Sequence, residues 1–468
     1  MLASPAMSGA DGELDRALAL GDRVVQGALA RGATVAECVL RFGAELSAKV
    51  RLGKPELVEE AGHRSLGLRV MKGQRVASTS TSDLSEAGID RAVKDAVELV
   101  EISQEDPFAG PADPRLLCDP SRAPDLDLYD PAGGRLDARE AIRIATVGED
   151  AARAFDPRIT NSDGSTFGRT AGGVGVVLSS GFRAGYRGSY QSLSVVPVAD
   201  DRGGKKRRGY HWTAKRHIAE LDPADEVGRE AARRTLRKLG ARTVATCEVP
   251  VIFDPDAARS ILGLLAGCVM GSSIWRKSSY LVGREGSRVA SELVDVVDDP
   301  LMPRAPGSRP FDGEGLPSRR TTVVEKGILR TYLCDSYSAR KLSRESTGSA
   351  SRGSGGGVGA STSNFILSPG SDTRDAIVRG TQRGLYVTDM MGFGFNAVTG
   401  DFSRGASGFW IESGELSFPV NEVTISLNLD ELWKRIDAVG SDLDLRTATA
   451  SPTLRVAKMT IAGGSEGG

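Results

Sequence analysis

"CEVPVIFDPDAARSILGLLAGCVMG", residues 247–271, holds the clearest structural transition in the chain. An alternating strand ends at Asp254, a side chain suited to cap a helix N-terminus, and Pro255 follows at the first helical position, where its missing N–H leaves nothing unsatisfied. The helix then crosses the most apolar run of the chain and carries Gly263, Gly267 and Gly271 at a spacing of four. Each glycine costs about 1 kcal/mol relative to alanine inside a helix, so three on one face imply close packing against another backbone. The run from Ile261 to Met270 is about half the ~20 residues that a bilayer core demands, which excludes a membrane span.

Outward from this passage, helices and hairpins alternate without a βαβ rhythm. An amphipathic helix covers residues 14–30, with Leu14, Ala17, Leu18, Val24, Val25, Ala28 and Leu29 apolar, and Gly32 closes it. "HRSLGLRVMKGQRVASTST" reads as a hairpin turning at Lys72 and Gly73, followed by a helix started by Asp83 with Glu86 three residues on. Residues 106–131, rich in Pro and Asp, read as a linker. A second unit repeats the plan: a helix over 137–154, a turn at Asp163 and Gly164, further strands, and a helix over 223–239. From Thr246 onward strands dominate, with turns at Lys326-Gly327 and Ser413-Gly414 and helices over 256–269 and 373–384. The expected class is α+β: two smaller N-terminal α/β units, 1–130 and 131–245, and a larger strand-rich C-terminal domain, 246–468.

The composition is that of an ordinary globular protein: 468 residues, 40% hydrophobic and 26% charged, with Lys plus Arg at 60 against Asp plus Glu at 61. Such balance supplies no global pull toward nucleic acid or an anionic membrane. The cysteines, Cys38, Cys118, Cys247, Cys268 and Cys334, are scattered and form no CxxC pair, which points to a reducing cytoplasm rather than a disulfide framework. The N-terminal "MLASPAMSGADGELDRALAL" lacks the basic and apolar regions of a signal peptide, and its first dozen residues read as a disordered tail.

Histidine is sparse. His63, His211 and His217 fall in no HExxH or HExxxH spacing, so a histidine-based zinc site within this chain is not expected, and His211 and His217 read as solvated strand or loop residues. "GASGF" around Ser407 lacks the second glycine of a serine-hydrolase elbow. "SRGSGGGVGAS", 351–361, has no GK[ST] and reads as a flexible loop. "DRGGKKRRGYHWTAKRH", 201–217, interleaves Lys205, Lys206, Arg207, Arg208, Lys215 and Arg216 with Tyr210 and Trp212, a composition suited to phosphate contact and stacking but equally to a solvated face.

The C-terminal third carries more specific signals. "SRPFDGEG" (308–315), "GILRTYLCDSYSARKL" (327–342), "STG" (346–348), "VTGDFSRGASGFWIESGELSFPVNEVTI" (398–425) and "LDLRTATASPTLRVAKMTIAG" (443–463) together resemble the TldD/PmbA family. The resemblance extends more loosely over both N-terminal units. It implies a heteromeric metalloprotease acting on peptides and unstructured segments, in which TldD-type chains carry HExxxH zinc ligands on a helix and PmbA- or TldE-type chains lack them. Aligned on "GSSIWRKSSYL", the family's metal motif falls at Leu262, Gly263 and Gly267, none able to bind zinc, and no cysteine follows Cys334 to serve as the third ligand. The resemblance therefore implies a PmbA/TldE-type chain with no catalytic residue, metal or cofactor of its own. It also implies a TldD-type partner that holds the zinc in a heterodimer, with a homodimer as a further possibility.

An inert subunit of that kind can wall a cleft and offer a strand edge to an extended peptide. Tyr337, Arg340 and Lys341 of "SYSARKL" and Gly400, Asp401 and Ser403 of "TGDFS" are placed near such a cleft, because polar, glycine-spaced motifs outside regular helix make poor core. Two other readings stay open. One is a self-sufficient hydrolase using Cys334 or the Asp312 and Glu314 carboxylates; the other is a binding protein using the basic 205–216 patch.

Overall fold

The computed structural model describes residues 10–464. The first unit comprises α1 (Ala10–Ala30), β1 (Val35–Arg51), β2 (Lys54–Lys72), β3 (Arg75–Thr81) and α2 (Glu86–Ile102). The second comprises α3 (Pro131–Gly134), α4 (Ala138–Arg153), β4 (Ile159–Leu178), β5 (Arg183–Asp200), β6 (Lys206–Arg208), β7 (His211–Lys215) and α5 (Ala224–Leu236). Their strands share one 7-stranded sheet, ordered β3-β2-β1-β4-β5-β6 with β7 also on β5. Even-numbered side chains of β1 lie on one face of that sheet. Cys38 and Leu40 meet the core under α1 and α2, and Leu46, Ala48 and Val50 meet the core under α4 and α5. On the opposite face Val39, with Val174 and Phe182, packs against Phe311 of the C-terminal region.

That region opens with β8 (Cys247–Phe253), α6 (Pro255–Cys268) and α7 (Gly271–Trp275). Next come β9 (Val296–Asp298), β10 (Thr321–Glu325), β11 (Ile328–Leu329), α8 (Ser336–Lys341), β12 (Ala350–Arg352), β13 (Val358–Ala360) and β14 (Phe365–Leu367). The chain ends through α9 (Arg374–Arg379), β15 (Arg383–Met391), β16 (Asp401–Glu412), β17 (Glu415–Asn428), α10 (Leu429–Lys434), β18 (Ile436–Val439), β19 (Thr449–Ala450) and β20 (Leu454–Ala462). One sheet runs β17-β16-β15-β8-β20-β18, and an added pairing of β17 with β20 closes it into a barrel. The barrel surrounds the largest core of the molecule, into which α6 inserts Ile261, Leu262 and Leu265. The α+β class is as expected, and among the described residues no helix is long and apolar enough to cross a membrane.

Several local expectations are corrected. Asp83 does not cap α2: Ser85 takes that role by accepting from the Gly88 N–H, while Asp83 accepts from the Ser85 N–H. Asp163-Gly164 is no hairpin turn but a bulge inside β4, where the register shifts between Ser162 and Gly164, and the chain reverses instead at residues 179–182. The helix expected over 373–384 stops at Arg379. Gly384 already lies in β15, so close to β8 that a Cβ there would sit 2.7 Å from the Pro250 carbonyl. Of the tail expected over the first dozen residues, 1–9 lie outside the described residues, and Ala10–Gly12 begin α1.

Candidate functional site

Asp254 caps α6 as expected, accepting from the Ala257 N–H at 2.8 Å, and Pro255 occupies the first turn. The helix buries one face, but its glycines do not serve close packing as the sequence suggested. Gly263 and Gly267 are exposed, and a Cβ on either would meet nothing within 4 Å. Gly271, expected on the same helix, instead opens α7 beyond the end of α6 at Cys268, and it alone of the three is enforced by contact, since a Cβ there would lie 2.7 Å from the Ser338 Cβ and 2.8 Å from the Cys334 Sγ. The three aligned metal-motif positions therefore divide: Leu262 is wholly buried, and the two glycines open a bare stripe continuous with Ser260. An apolar side chain and two absent ones cannot ligate zinc, so the donor set does not fit the metal. Among the described residues no group of three or more His, Cys, Asp or Glu is placed to hold a metal ion.

Beside Ser260 lies a groove of about 730 Å³ between the Arg207–Tyr210 segment, residues 388–391 of β15 and residues 419–421. A second cavity of about 240 Å³ adjoins it, sharing Tyr210, Lys238, Asp256, Thr388 and Asp389 in its walls. The backbone here suits an extended ligand. β8 pairs with β15 only as far as Phe253 and Val387, then turns away into α6, so Thr388–Met391 keep a strand neighbour on the β16 side alone. Ion pairs knit the walls: Lys238 with Asp389 at 3.0 Å, Arg234 with Glu230 at 2.9 Å, and Arg446 with Asp444. Burial, foremost, and then Asp256 push the Asp254 carboxyl up to about 7, with the Ala257 N–H pulling the other way. His211, half-buried behind the groove, is pushed down to about 4 by burial and then by Arg234, so it is neutral at physiological pH.

The expected cleft residues fall into two sets that no hydrogen bond or ion pair joins. Tyr337, Arg340 and Lys341 lie within α8, contrary to the expectation of irregular backbone. Arg340 clamps the segment read as a linker, donating to the carbonyls of Phe108 (2.7 Å), Gly110 (2.9 Å) and Pro111 (3.1 Å). Tyr337 donates to Asp106 at 2.6 Å, and the Lys341 ammonium lies over the Phe108, Trp275 and Tyr337 rings. The linker is thus a strap bound to the C-terminal region. Asp401 and Ser403 begin β16 and Gly400 precedes it at φ +82, beside the loop 392–399. Their neighbour Arg404 reaches α6, donating to the Ser260 Oγ at 2.9 Å and the Gly392 carbonyl.

The alternative sites are less open than their sequences suggested. Cys334 is fully buried, and burial pushes its thiol up to about 11. Asp312 accepts from the N–H groups of Glu314, Leu316 and Ala350, which satisfies it within the fold. Glu314 accepts from the Ser336 N–H and borders a cavity of about 490 Å³. In the basic segment Lys206 pairs with Asp200, Arg207 with Asp201 and Arg208 with Asp163, while Arg216 donates to the Ala305 and Pro306 carbonyls. Three of the six expected phosphate-binding cations are thus paired with acids. The loop within 351–361 is docked, not free: a Cβ on Gly67 of β2 would lie 2.4 Å from the Ser354 carbonyl. Sequence reasoning did not bring together Arg237, which caps the end of α5, Arg374 of α9 and Tyr386 of β15, because only tertiary folding brings them to one cavity.

Profiles of three PmbA/TldA metallopeptidase domains match the chain in order: domain 1 over residues 36–100, the central domain over 132–239 and the C-terminal domain over 246–463. The chain is 37% identical over 418 residues to the metalloprotease PmbA of Escherichia coli O157:H7, covering 89% of this chain and 90% of that one. A metalloprotease PmbA homolog of Haemophilus influenzae is also 37% identical, over 421 residues, again covering 89% and 90%. Among solved structures, a candidate modulator of DNA gyrase from Bacteroides thetaiotaomicron superposes with a TM-score of 0.89 at 27% identity, covering 96% of this chain and 99% of that one. TldE from Thermococcus kodakarensis shares the fold, with a TM-score of 0.85 at 20% identity over 95% and 100% of the two chains.

Proposed function

The chain belongs to the PmbA/TldD metallopeptidase family, and from that premise we propose that it is the metal-free, TldE-like half of a two-chain zinc metalloprotease of the cytoplasm. The zinc belongs to a TldD-type partner, and the substrates are peptides and unfolded segments. One observation carries this reading: the helix face where a family metal site aligns is bare and open, with Gly263 and Gly267 exposed and free space where ligands would stand. Bulky or packed residues there would indicate a helix recruited to structure alone. A bare stripe continuous with Ser260 and the adjoining groove suits a cleft wall that admits an extended backbone.

The unpaired Thr388–Met391 edge supports the same reading, because main-chain hydrogen bonding holds unfolded peptides without reading their side chains. The test is metal content and casein cleavage by this chain alone, by a TldD-type chain alone and by their mixture. Zinc and activity dependent on the partner are expected. Stoichiometric zinc, or chelator-resistant cleavage by this chain alone, overturns the proposal.

A further inference from the structure

The connection between β15 and β16 carries the most exposed large apolar side chain among the described residues: Phe393 is 98% exposed. Met391 at 51% and Val398 at 57% flank it. Single exposed apolar residues are ordinary on a protein surface, but three gathered on one loop mark a site of contact. The loop is also longer than the about two to five residues that join most hairpins, as is usual for loops kept for function.

The loop is held in place. The Gly392 carbonyl accepts from Arg404 Nε at 2.9 Å, and the same guanidinium donates to the Ser260 Oγ of α6. The Gly394 carbonyl accepts from the Ser403 N–H at 2.8 Å, an approach so close that a Cβ on Gly394 would lie 1.8 Å from the Ser403 carbonyl oxygen. Beyond it Phe395 packs against the barrel core, and the Ala397 carbonyl accepts from the Tyr280 N–H at 2.8 Å. Both chain neighbours of Phe393 are fixed to the barrel while its ring stands in solvent, so a contact made there loses little entropy on ordering.

Met391 belongs to both features: it is the last residue of the open β15 edge, and it lines the groove. An extended peptide rises about 3.3 Å per residue, so a chain paired to Thr388–Met391 carries its next residues past Met391 toward the loop. Main-chain pairing does not read side chains, and Asp389 on that edge is already tied to Lys238 at 3.0 Å. Apolar contact comes instead from Met390 and Met391, whose flexible thioethers fit varied shapes, and from the Phe393 ring beyond them. We propose that Phe393, with Met391 and Val398, is an apolar lip that packs on a hydrophobic side chain of the bound peptide, so that the chain selects apolar unfolded segments over polar ones. This inference rests on the groove reading above and adds to it a side-chain preference.

The test uses the full chain without a partner and reads binding, not cleavage. A short fluorescein-labelled casein peptide with one central leucine is titrated beside the same peptide carrying serine there. The leucine form is expected to bind about tenfold tighter, as burial of one apolar side chain implies. Phe393→Ser is expected to bring the leucine form down to the affinity of the serine form, with the serine form and the melting temperature unchanged, because the ring makes almost no contact to lose. Phe393→Leu, which keeps an apolar lip, is expected to retain most of the preference. Equal binding of the two peptides by the wild-type chain, or a preference that survives Phe393→Ser, overturns the lip and leaves the groove standing. Binding of neither peptide overturns the groove reading itself. A Phe393→Ser chain that keeps the preference but no longer co-elutes with a TldD-type chain assigns the loop to the contact between subunits and overturns the peptide role.

Discussion

Arg352 and Glu37 lie 2.9 Å apart with both side chains almost wholly buried, joining the strand that precedes the glycine loop to the central sheet of the N-terminal units. Arg69 approaches the same carboxylate at 3.0 Å. Burial alone would raise the Glu37 pKa and is the largest single influence, but Arg352 and Arg69 outweigh it and hold the carboxyl below its ordinary value of 4.5. A carboxylate held low binds its proton more tightly in the unfolded chain, so the stabilisation is present above the unfolded pKa and is lost as pH falls through the folded one. Glu37→Gln leaves two buried guanidiniums uncompensated and is expected to cost about 3–5 kcal/mol in urea unfolding near neutral pH. The gap to wild type should be flat above about pH 6 and close below the ordinary glutamate range; a gap that widens on acidification refutes the assignment.

The two glycines of α6 and the one that opens α7 separate by environment. Gly263→Ala and Gly267→Ala place a methyl in open space on a helix and are expected to stabilise by about 0.5–1 kcal/mol each. Gly271→Ala drives a methyl into Ser338 and Cys334 and should cost about 1–3 kcal/mol. Thermal melts of the three single variants check the order, and equal losses at all three would restore the close-packed reading of the helix.

Glu314 behaves oppositely to Glu37. Burial first and Asp312 next push its carboxyl up to about 7, so the folded state holds its proton more tightly and stability is lost as pH rises from the ordinary glutamate value through the folded one. Glu314→Gln keeps an acceptor for the Ser336 N–H and removes the titration. Its stability relative to wild type is expected to rise between about pH 4.5 and 7 and level off above, each unit of raised pKa corresponding to about 1.4 kcal/mol. A pH-independent difference would show that Glu314 titrates normally.

Arg340 tests whether α8 belongs to the cleft or to the strap. Arg340→Lys preserves charge but cannot span the carbonyls of Phe108, Gly110 and Pro111, and is expected to lose about 1–3 kcal/mol. Limited proteolysis should then cut the strap near residues 106–111 while peptide affinity is unchanged. Intact strap protection with weakened peptide binding would return Arg340 to the cleft.

What the sequence revealed follows from how far each signal reaches along the chain. The Asp254-Pro255 start of α6 and the turns at Lys326-Gly327 and Ser413-Gly414 depend on a few adjacent residues, and the structure has them, Lys326 and Ser413 taking positive φ ahead of glycines that do the same. Asp163-Gly164 carries the same local signal but is absorbed as a bulge, because the 20-residue strand β4 pairs with β1 and β5 on either side of it. The glycine spacing in α6 shows that side chains are missing but not which way they would have pointed. Arg237, Arg374 and Tyr386 are separated by more than a hundred residues at the extremes and carry no motif, so their convergence exists only in the fold.

Gly267 offers the sharpest discrimination between a helix that is merely solvated and one that walls a substrate cleft. A Cβ there meets nothing within 4 Å, and glycine costs a helix interior about 1 kcal/mol relative to alanine, so Gly267→Trp is expected to fold with an unchanged or higher melting temperature. If the bare face admits substrate, the indole occupies the volume an extended peptide needs. Casein cleavage by the mixture with a TldD-type chain should then fall more than tenfold, while co-elution of the two chains on size exclusion persists. Retained co-elution matters because it separates a blocked cleft from a blocked interface, and loss of co-elution would relocate the stripe to the contact between subunits. Full activity of an intact complex would show that peptide does not pass over α6, and the cleft-wall role would have to be given up.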